Sequence, residues 1–413
     1  MKITTGNFYL VPFVLGLAAI APAKTWSNVT AYPLSTVESA PIGITAGPDG
    51  ALWFVELRIN TIGRITTSGV ITQYSIPTAG ADPWVIAAGP DGALWFSESG
   101  ANQIGRITTS GLITEFPVLT ANSSPYGITA GSDGALWFTE QNGNKIGRIT
   151  TAGAIVEYTV PTAGSEPFAI AAGADGDLWF TETASNKIAR ITTAGLITEY
   201  PLPEAAGEPN WITAGPDGAL WFTERLCCYV GRITTAGVIT QYPTPAGSGP
   251  FEITAGPDGA LWFTEVNYNE IGRITTGGVV TQYPLLTPNL GPWAITAGPD
   301  GALWFTEDYG NYIARAPACG LGLSAAFANG TLTLNFSLGT STPATWNVNL
   351  SSSTGNVKQL WSQPVSAVVP PHSFTRTLGP GFPSLGALTV GSGLETAPGE
   401  GLCFETVDVN TTP

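Results

Sequence analysis

The chain has 413 residues, a formal net charge of −15, 51 glycines, 33 prolines and only 11% charged residues. Few charges and many turn formers point to short strands joined by tight turns, and away from long helices or disorder. An acidic surface repels phosphate backbones and anionic lipid, which weighs against nucleic acid as a partner and against membrane insertion of the mature chain.

Residues 1–23 read as an export signal. Met1-Lys2 supplies the positive start, Phe8 to Ile20 is an apolar stretch interrupted by Pro12, and Ala21-Pro22-Ala23 has the small-x-small pattern of a cleavage site. The stretch is short for a membrane span. Cleavage near Ala23 leaves a secreted or periplasmic chain that starts at Lys24.

Residues 24–317 repeat. The tripeptide Leu-Trp-Phe begins at positions 52, 94, 136, 178, 220, 261 and 303. A period in the low forties, in seven copies, predicts an all-β, seven-bladed β-propeller with four strands per blade. In the third unit the strands are Pro125 to Ala130, Ala135 to Glu140, Lys145 to Thr150 and Ala154 to Tyr158, with a tight turn at Gly131-Ser132-Asp133-Gly134. The unbroken apolar centre of the second strand places side chains on both faces, as sandwiching between blades requires. The last unit stops after Ile313-Ala314-Arg315, and Val29 to Leu34 matches its missing outer strand. The N-terminal strand is therefore expected to close the ring and remove its open edge.

Within the fifth unit, Cys227 and Cys228 occupy the loop between second and third strands, Cys228 at the place of Asn60, Asn102, Asn144, Asn186, Asn269 and Asn311. A vicinal disulfide, an unpaired thiol and a soft-metal site all stand open, the last weakened by the lack of a nearby His or third Cys. Residues 318–413 lose the period. Alternating Leu332, Leu334, Phe336 and Leu338 after Asn329-Gly330, then Trp346, Val348 and Leu350, predict a small C-terminal β-sandwich of immunoglobulin-like kind, pinned by Cys319–Cys403. Asn28, Asn122, Asn329, Asn335, Asn349 and Asn410 begin glycosylation sequons.

Each propeller unit also carries an Asp in its tight turn (Asp49 to Asp300), a Glu after the aromatic pair (Glu56 to Glu307) and an Arg in the third strand (Arg64 to Arg315). The Asp residues suit the turn. Equal numbers of Glu and Arg predict that each part-buried Glu pairs with an Arg of its own or an adjacent blade.

Function is expected where the repeat is broken. Loops that enter the inner strand and loops that leave the second strand share one face around the channel mouth. Directly after the Pro that opens each inner strand stand Ile42, Trp84, Tyr126, Phe168, Asn210, Phe251 and Trp293. A ring of aromatic residues there either stacks on a small molecule, glycan or peptide, or packs the channel shut, and both readings stand. Asp82, Glu166 and Glu208 precede those prolines and Asp308 follows a second strand, so these carboxylates face a ligand or remain solvated loop charges. Arg225 and Glu252 are further departures from the repeat. No catalytic group or metal-ligand motif emerges, and no cofactor is expected.

The unit Gly-Pro-Asp-Gly-Ala-Leu-Trp-Phe-Thr-Glu, followed by Asn-Lys-Ile-Gly-Arg-Ile-Thr-Thr-x-Gly and Ile-Thr-Glu-Tyr-Pro, resembles the repeat of the virginiamycin B lyase family over residues 26–317. The resemblance implies a seven-bladed propeller that opens the lactone ester of streptogramin B antibiotics by elimination and needs Mg²⁺. It also implies a His after the Pro of an inner strand, in a Glu-Pro-His-Gly-Ile context, fit for a general base, with a second Glu beyond the second strand. Glu166 and Glu208 match the acid before the Pro, but Phe168 and Asn210 follow it, only Asp308 resembles the second acid, and the sole His is His372. The expectation is a secreted, monomeric, lyase-like propeller that binds a ligand at its aromatic mouth without His-dependent chemistry. A divergent lyase or other carboxylate- or Mg²⁺-assisted enzyme is the alternative, and a structural or surface-interaction protein the second.

Overall fold

A computed structural model describes residues 29–203, 207–226, 228–285 and 291–316, and beyond them the backbone of Pro317 and of seven strands between residues 321 and 410. The export signal, Cys227, the Cys319–Cys403 pair and every sequon except the exposed Asn122 lie outside the residues whose side chains are described.

Seven four-stranded antiparallel blades follow one another through residues 30–317. In the third blade the strands are Pro125–Ala130, Leu136–Glu140, Lys145–Ile149 and Ile155–Thr159, paired in that order from the axis outward. The seventh takes three strands from its own repeat, Pro292–Ala297, Ala302–Glu307 and Tyr312–Pro317, and its outermost, Thr30–Pro33, from the N-terminus. Closure is by packing as well as pairing: Leu34, Ile44, Leu52 and Phe54 share one buried cluster with Ala294, Trp304 and Ile313. Beyond Pro317 the backbone forms one three-stranded and one four-stranded antiparallel sheet.

The core lies between blades. Every residue of the second strand is buried, as in Leu136–Glu140. Trp53 and Val55 from one face of the first blade meet Ile86, Leu94, Phe96 and Ile107 of the second. At the turn end, Asp133 accepts the Trp137 indole N–H on Oδ1 (3.1 Å) and the Arg148 Nε–H on Oδ2 (2.7 Å), while the Arg148 guanidinium lies 5.9 Å over the Trp137 ring. The same clamp recurs in the other blades, with Arg190 shifted to Asp177 (3.3 Å) in the fourth.

This corrects the expected Glu–Arg pairing. Trp137 sits opposite Arg148, whereas Glu140 sits opposite Lys145 at the other end of the strand. Three residues of strand separate them, about 10 Å. The buried Glu instead reaches across the small third-strand residue to the outer strand: the Gln73 amide donates to Glu56 at 2.8 and 3.0 Å over Gly63. Gln241 and Gln282 serve Glu224 and Glu265 in the same way. In the second, third and fourth blades the outer residue is another acid, Glu115, Glu157 or Glu199, and in the seventh it is Ala31.

The two acid sets titrate in opposite directions. Burial works against ionisation of Asp49, Asp91, Asp133, Asp217 and Asp300, yet indole, guanidinium and amide donors hold all five below the ordinary carboxylate value. Burial lifts Glu140, Glu182 and Glu307 to about 7, and burial together with the Glu115 charge lifts Glu98 to about 8. A lowered Asp contributes stability above its unfolded pKa and loses it as pH falls through the folded value. A raised Glu binds a proton in the folded state that the unfolded chain has released, so stability falls as pH rises from about 4.3 towards these values. We therefore expect the urea midpoint to peak between about pH 4 and 5 and decline towards pH 8. Glu307→Gln, in the blade without an outer polar partner, should flatten that decline, and a profile level from pH 5 to 8 would contradict the buried placement. Asp133→Ala should lower stability by about 1–3 kcal/mol in denaturant titrations, with Asp133→Asn intermediate because its amide oxygen still accepts the indole.

Candidate functional site

The two loop sets meet on one face. The residue before each inner-strand Pro has a left-handed backbone, with φ 47° at Asp82, 51° at Glu166 and 48° at Glu208. In that conformation its carbonyl turns to the loop beyond the second strand of the same blade: Asp82 O accepts from Ser99 N, Glu208 O from Arg225 N and Gly291 O from Asp308 N. The following Pro pairs with the buried Glu, and a bulge then gives two inner-strand residues the space of one.

A hydroxyl resolves that bulge. Thr181 Oγ1 accepts from Ala169 N and donates to Asn210 O of the next blade; Thr223 does the same between Trp211 N and Phe251 O, and Thr264 between Glu252 N and Trp293 O. The backbones of Phe168, Asn210, Phe251 and Trp293 are thus pinned to the preceding blade, whatever side chain each carries. Asn60 acts similarly on the linker, its Oδ1 accepting from Ala81 N and its Nδ2 donating to Thr78 O. At the matching place Cys228, buried and free, accepts from Gly247 N on Sγ at 2.9 Å. An unpaired thiol standing in for an amide oxygen is the outcome for Cys228.

The aromatic residues expected at the mouth do come together, as a continuous band. Trp84 lies 5.1 Å from Tyr126, Tyr126 stacks on Phe168 at 4.0 Å, Phe168 meets Phe251 edge-on at 6.5 Å, and Phe251 meets Trp293 at 4.5 Å. Buried Ile42 packs with both Trp84 and Trp293 and closes the circle. Trp84, Phe168 and Trp293 stay half-exposed, so the band presents an aromatic surface. Trp211 is a member that the repeat comparison had not picked out. It packs against Phe168 (6.4 Å) and Phe251 (6.3 Å), filling the space left by the small Asn210 beside it. Its signal in the sequence is a bulky residue where the other blades have Gly43, Val85, Gly127, Ala169, Glu252 and Ala294.

Polar groups are set into this surface. The Asn210 side chain is buried, and its Oδ1 has no hydrogen-bond partner. Glu252 is 5% exposed; its Oε1 accepts from Ile295 N (3.3 Å), and burial holds its carboxyl far towards the neutral form. Burial also raises the Tyr126 phenol, with the Glu252 charge adding to the effect and the Arg225 charge opposing it. Arg225 itself is exposed and lies 5.9 Å over the Phe251 ring.

The four carboxylates singled out from the sequence do not converge. Asp82 and Glu166 are exposed and Glu208 is half-buried. Asp308 is raised by burial, with the Arg58 charge opposing, and its Oδ1 is buried without a partner. Among the described residues no three His, Cys, Asp or Glu side chains gather into a group able to hold a metal. The donor set at the mouth therefore does not fit the Mg²⁺ that the family resemblance implies. The only His in the sequence, His372, follows the repeats and lies outside the residues whose side chains are described.

A streptogramin B lyase structure is 42% identical over 71% of this chain and 99% of its own, with a TM-score of 0.68. Selenomethionine-substituted virginiamycin B lyase from Staphylococcus aureus is 42% identical over 70% of this chain and 98% of its own, also at TM-score 0.68. A catalytically inactive His-to-Ala variant of the Staphylococcus aureus enzyme, solved with quinupristin, gives 42% identity, the same coverages and a TM-score of 0.67. The family model for virginiamycin B lyases matches residues 18–215 and 206–321. With blade architecture, repeat and sequence all in agreement, the chain belongs to the virginiamycin B lyase family.

Proposed function

We propose that this chain is an exported, monomeric, lyase-like propeller that binds a small molecule, glycan or peptide on its aromatic mouth without His-dependent chemistry. One observation carries the reading: the band from Trp84 to Trp293 is continuous and partly exposed, and every position after an inner-strand Pro holds a residue other than His. Such a surface favours a ligand with flat apolar groups, which stack on half-exposed Trp84, Phe168 and Trp293. The exposed Arg225 guanidinium over the Phe251 ring supplies one cation to orient it. Burial shifts Glu252 towards its neutral form and the Tyr126 phenol towards its un-ionised form, which disfavours charge on the floor.

A second reading, a divergent lyase, draws its support from 42% identity to streptogramin B lyase over nearly that enzyme's full length. The two readings part on one experiment. Quinupristin, with and without added Mg²⁺, is titrated while tryptophan fluorescence reports binding and chromatography reports ring opening. Chromatography is needed because elimination leaves the mass unchanged. Saturable binding with intact ligand is expected, weakened about five- to tenfold by Trp84→Ala or Trp293→Ala, as loss of one stacking contact implies. Turnover abolished by Asp308→Asn would establish the lyase reading instead.

A further inference from the structure

Seven copies of one buried carboxylate make the chain its own control. Wherever the outer strand carries Gln, its amide donates to the buried Glu, to both oxygens of Glu56 from Gln73 and to one oxygen of Glu265 from Gln282. Wherever it carries Glu in the third and fourth blades, a lysine stands on the third strand directly opposite the buried acid. Lys145 Nζ lies 2.7 Å from Glu157 and 2.6 Å from Thr120 Oγ1. Lys187 Nζ lies 2.6 Å from both Glu199 and Thr162 Oγ1. The second blade has the acid without the lysine: Glu115 occupies the outer strand, and Gln103 stands in the ammonium's place.

The second blade therefore has a pocket of acceptors with no cation in it. Glu98 is 0% exposed and, like Glu140 in the third blade, has no hydrogen-bond partner on either carboxylate oxygen, but here no ammonium stands beside the outer acid. Its Oε1 would lie 2.5 Å from a Cβ built on Gly105, so the carboxylate is aimed across the third strand towards Glu115, which pairs with that glycine. Gln103 Oε1 is buried and unpartnered as well. Glu115 Oε1 accepts from Thr78 N (3.0 Å), which brings in Thr78, the counterpart of Thr120 and Thr162. An amide flip of Gln103 would supply donors but no positive charge.

We propose that the second blade holds a hard divalent cation, calcium the best match, between Glu98, Glu115, Gln103 Oε1 and the Thr78 hydroxyl, in the role that the lysine ammonium plays in the next two blades. All the donors are oxygens, which selects hard ions over zinc or copper. Two carboxylates balance a double charge. Side chains from three strands and a linker suit the variable six- to eightfold coordination of calcium better than the strict octahedron of magnesium, and water completes either shell. Because Thr78 opens the linker to Asp82 and Trp84, the ion would fasten that linker to the blade. The site lies radially outside the aromatic band and does not depend on what the mouth binds.

The test uses the full chain after chelator treatment. Thermal unfolding is followed with CaCl₂, MgCl₂ or NaCl at matched ionic strength, and calorimetry gives calcium stoichiometry. We expect a saturable calcium-dependent rise in Tm of about 3 °C or more, with one ion bound in the millimolar range or tighter. Gln103→Lys copies the third and fourth blades, and Glu115→Gln copies the first, fifth and sixth, so both have a folded precedent within the chain. Each should melt above the wild type in chelator and lose the calcium response. A wild-type Tm indifferent to calcium and magnesium at about 10 mM would overturn the proposal and leave a proton shared between Glu98 and Glu115. A calcium response unchanged in both variants would overturn it too, by placing the ion elsewhere.

Discussion

The carboxylate of the turn aspartate is the contact on which each blade depends. It accepts the indole N–H on one oxygen and the arginine on the other, so the tryptophan, the largest side chain in the core, is held by its polar end while its rings are fully buried. The arginine then lies over the same ring, and an outer-strand aromatic stacks beyond it, Tyr158 on Trp137 at 5.6 Å. Turn, second strand, third strand and fourth strand are thereby locked by one ionic cluster at the end of the blade away from the mouth. With that end fixed, the opposite end is free to differ from blade to blade.

What that freedom permits is clearest in the buried glutamates. All seven keep the same backbone place, but their partners are Gln, Glu with Lys, Glu with Gln103, or none. A buried acid costs stability unless it takes up a proton or a cation, and burial raises Glu56 and Glu265 beside their Gln partners as well as Glu98, Glu140, Glu182 and Glu307. Repetition exposes these differences, because six neighbours show what the seventh lacks.

The architecture was legible in the sequence almost to the residue: the spacing of Leu-Trp-Phe set the blades, and Val29 to Leu34 set the closure through Tyr32 opposite Ile313. The charge pairing was not, because counting Glu against Arg ignores register. Antiparallel pairing of Trp137 with Arg148 puts the arginine at the turn, beside Asp133, and the glutamate at the far end. The band at the mouth was legible as a set of positions, since an aromatic residue recurs after the Pro in five of the seven blades. That the rings touch was not, because contact across the axis depends on how far each inner strand tilts. Trp211 stayed hidden for a related reason: it substitutes for Asn210 from the neighbouring position, and a comparison by aligned columns separates two residues that the bulge lets share one space.

The same bulge explains how the scaffold is kept while the mouth side chains vary from blade to blade. In the stitched blades a Thr hydroxyl fixes the backbone of the mouth residue from the preceding blade, as Thr181 does for Asn210 and Thr223 for Phe251. None of these bonds involves the mouth side chain, so exchanging it leaves the fold's hydrogen bonds intact. Side chains there answer only to their neighbours on the band and to whatever binds on it. An aromatic residue there gains burial and ring contacts, whereas Asn210 leaves an orphaned oxygen beside Trp211. Asn210 is therefore the mouth position at which a buried acceptor goes unpaired within the propeller, and Trp211 rather than the Asn side chain supplies the ring surface there.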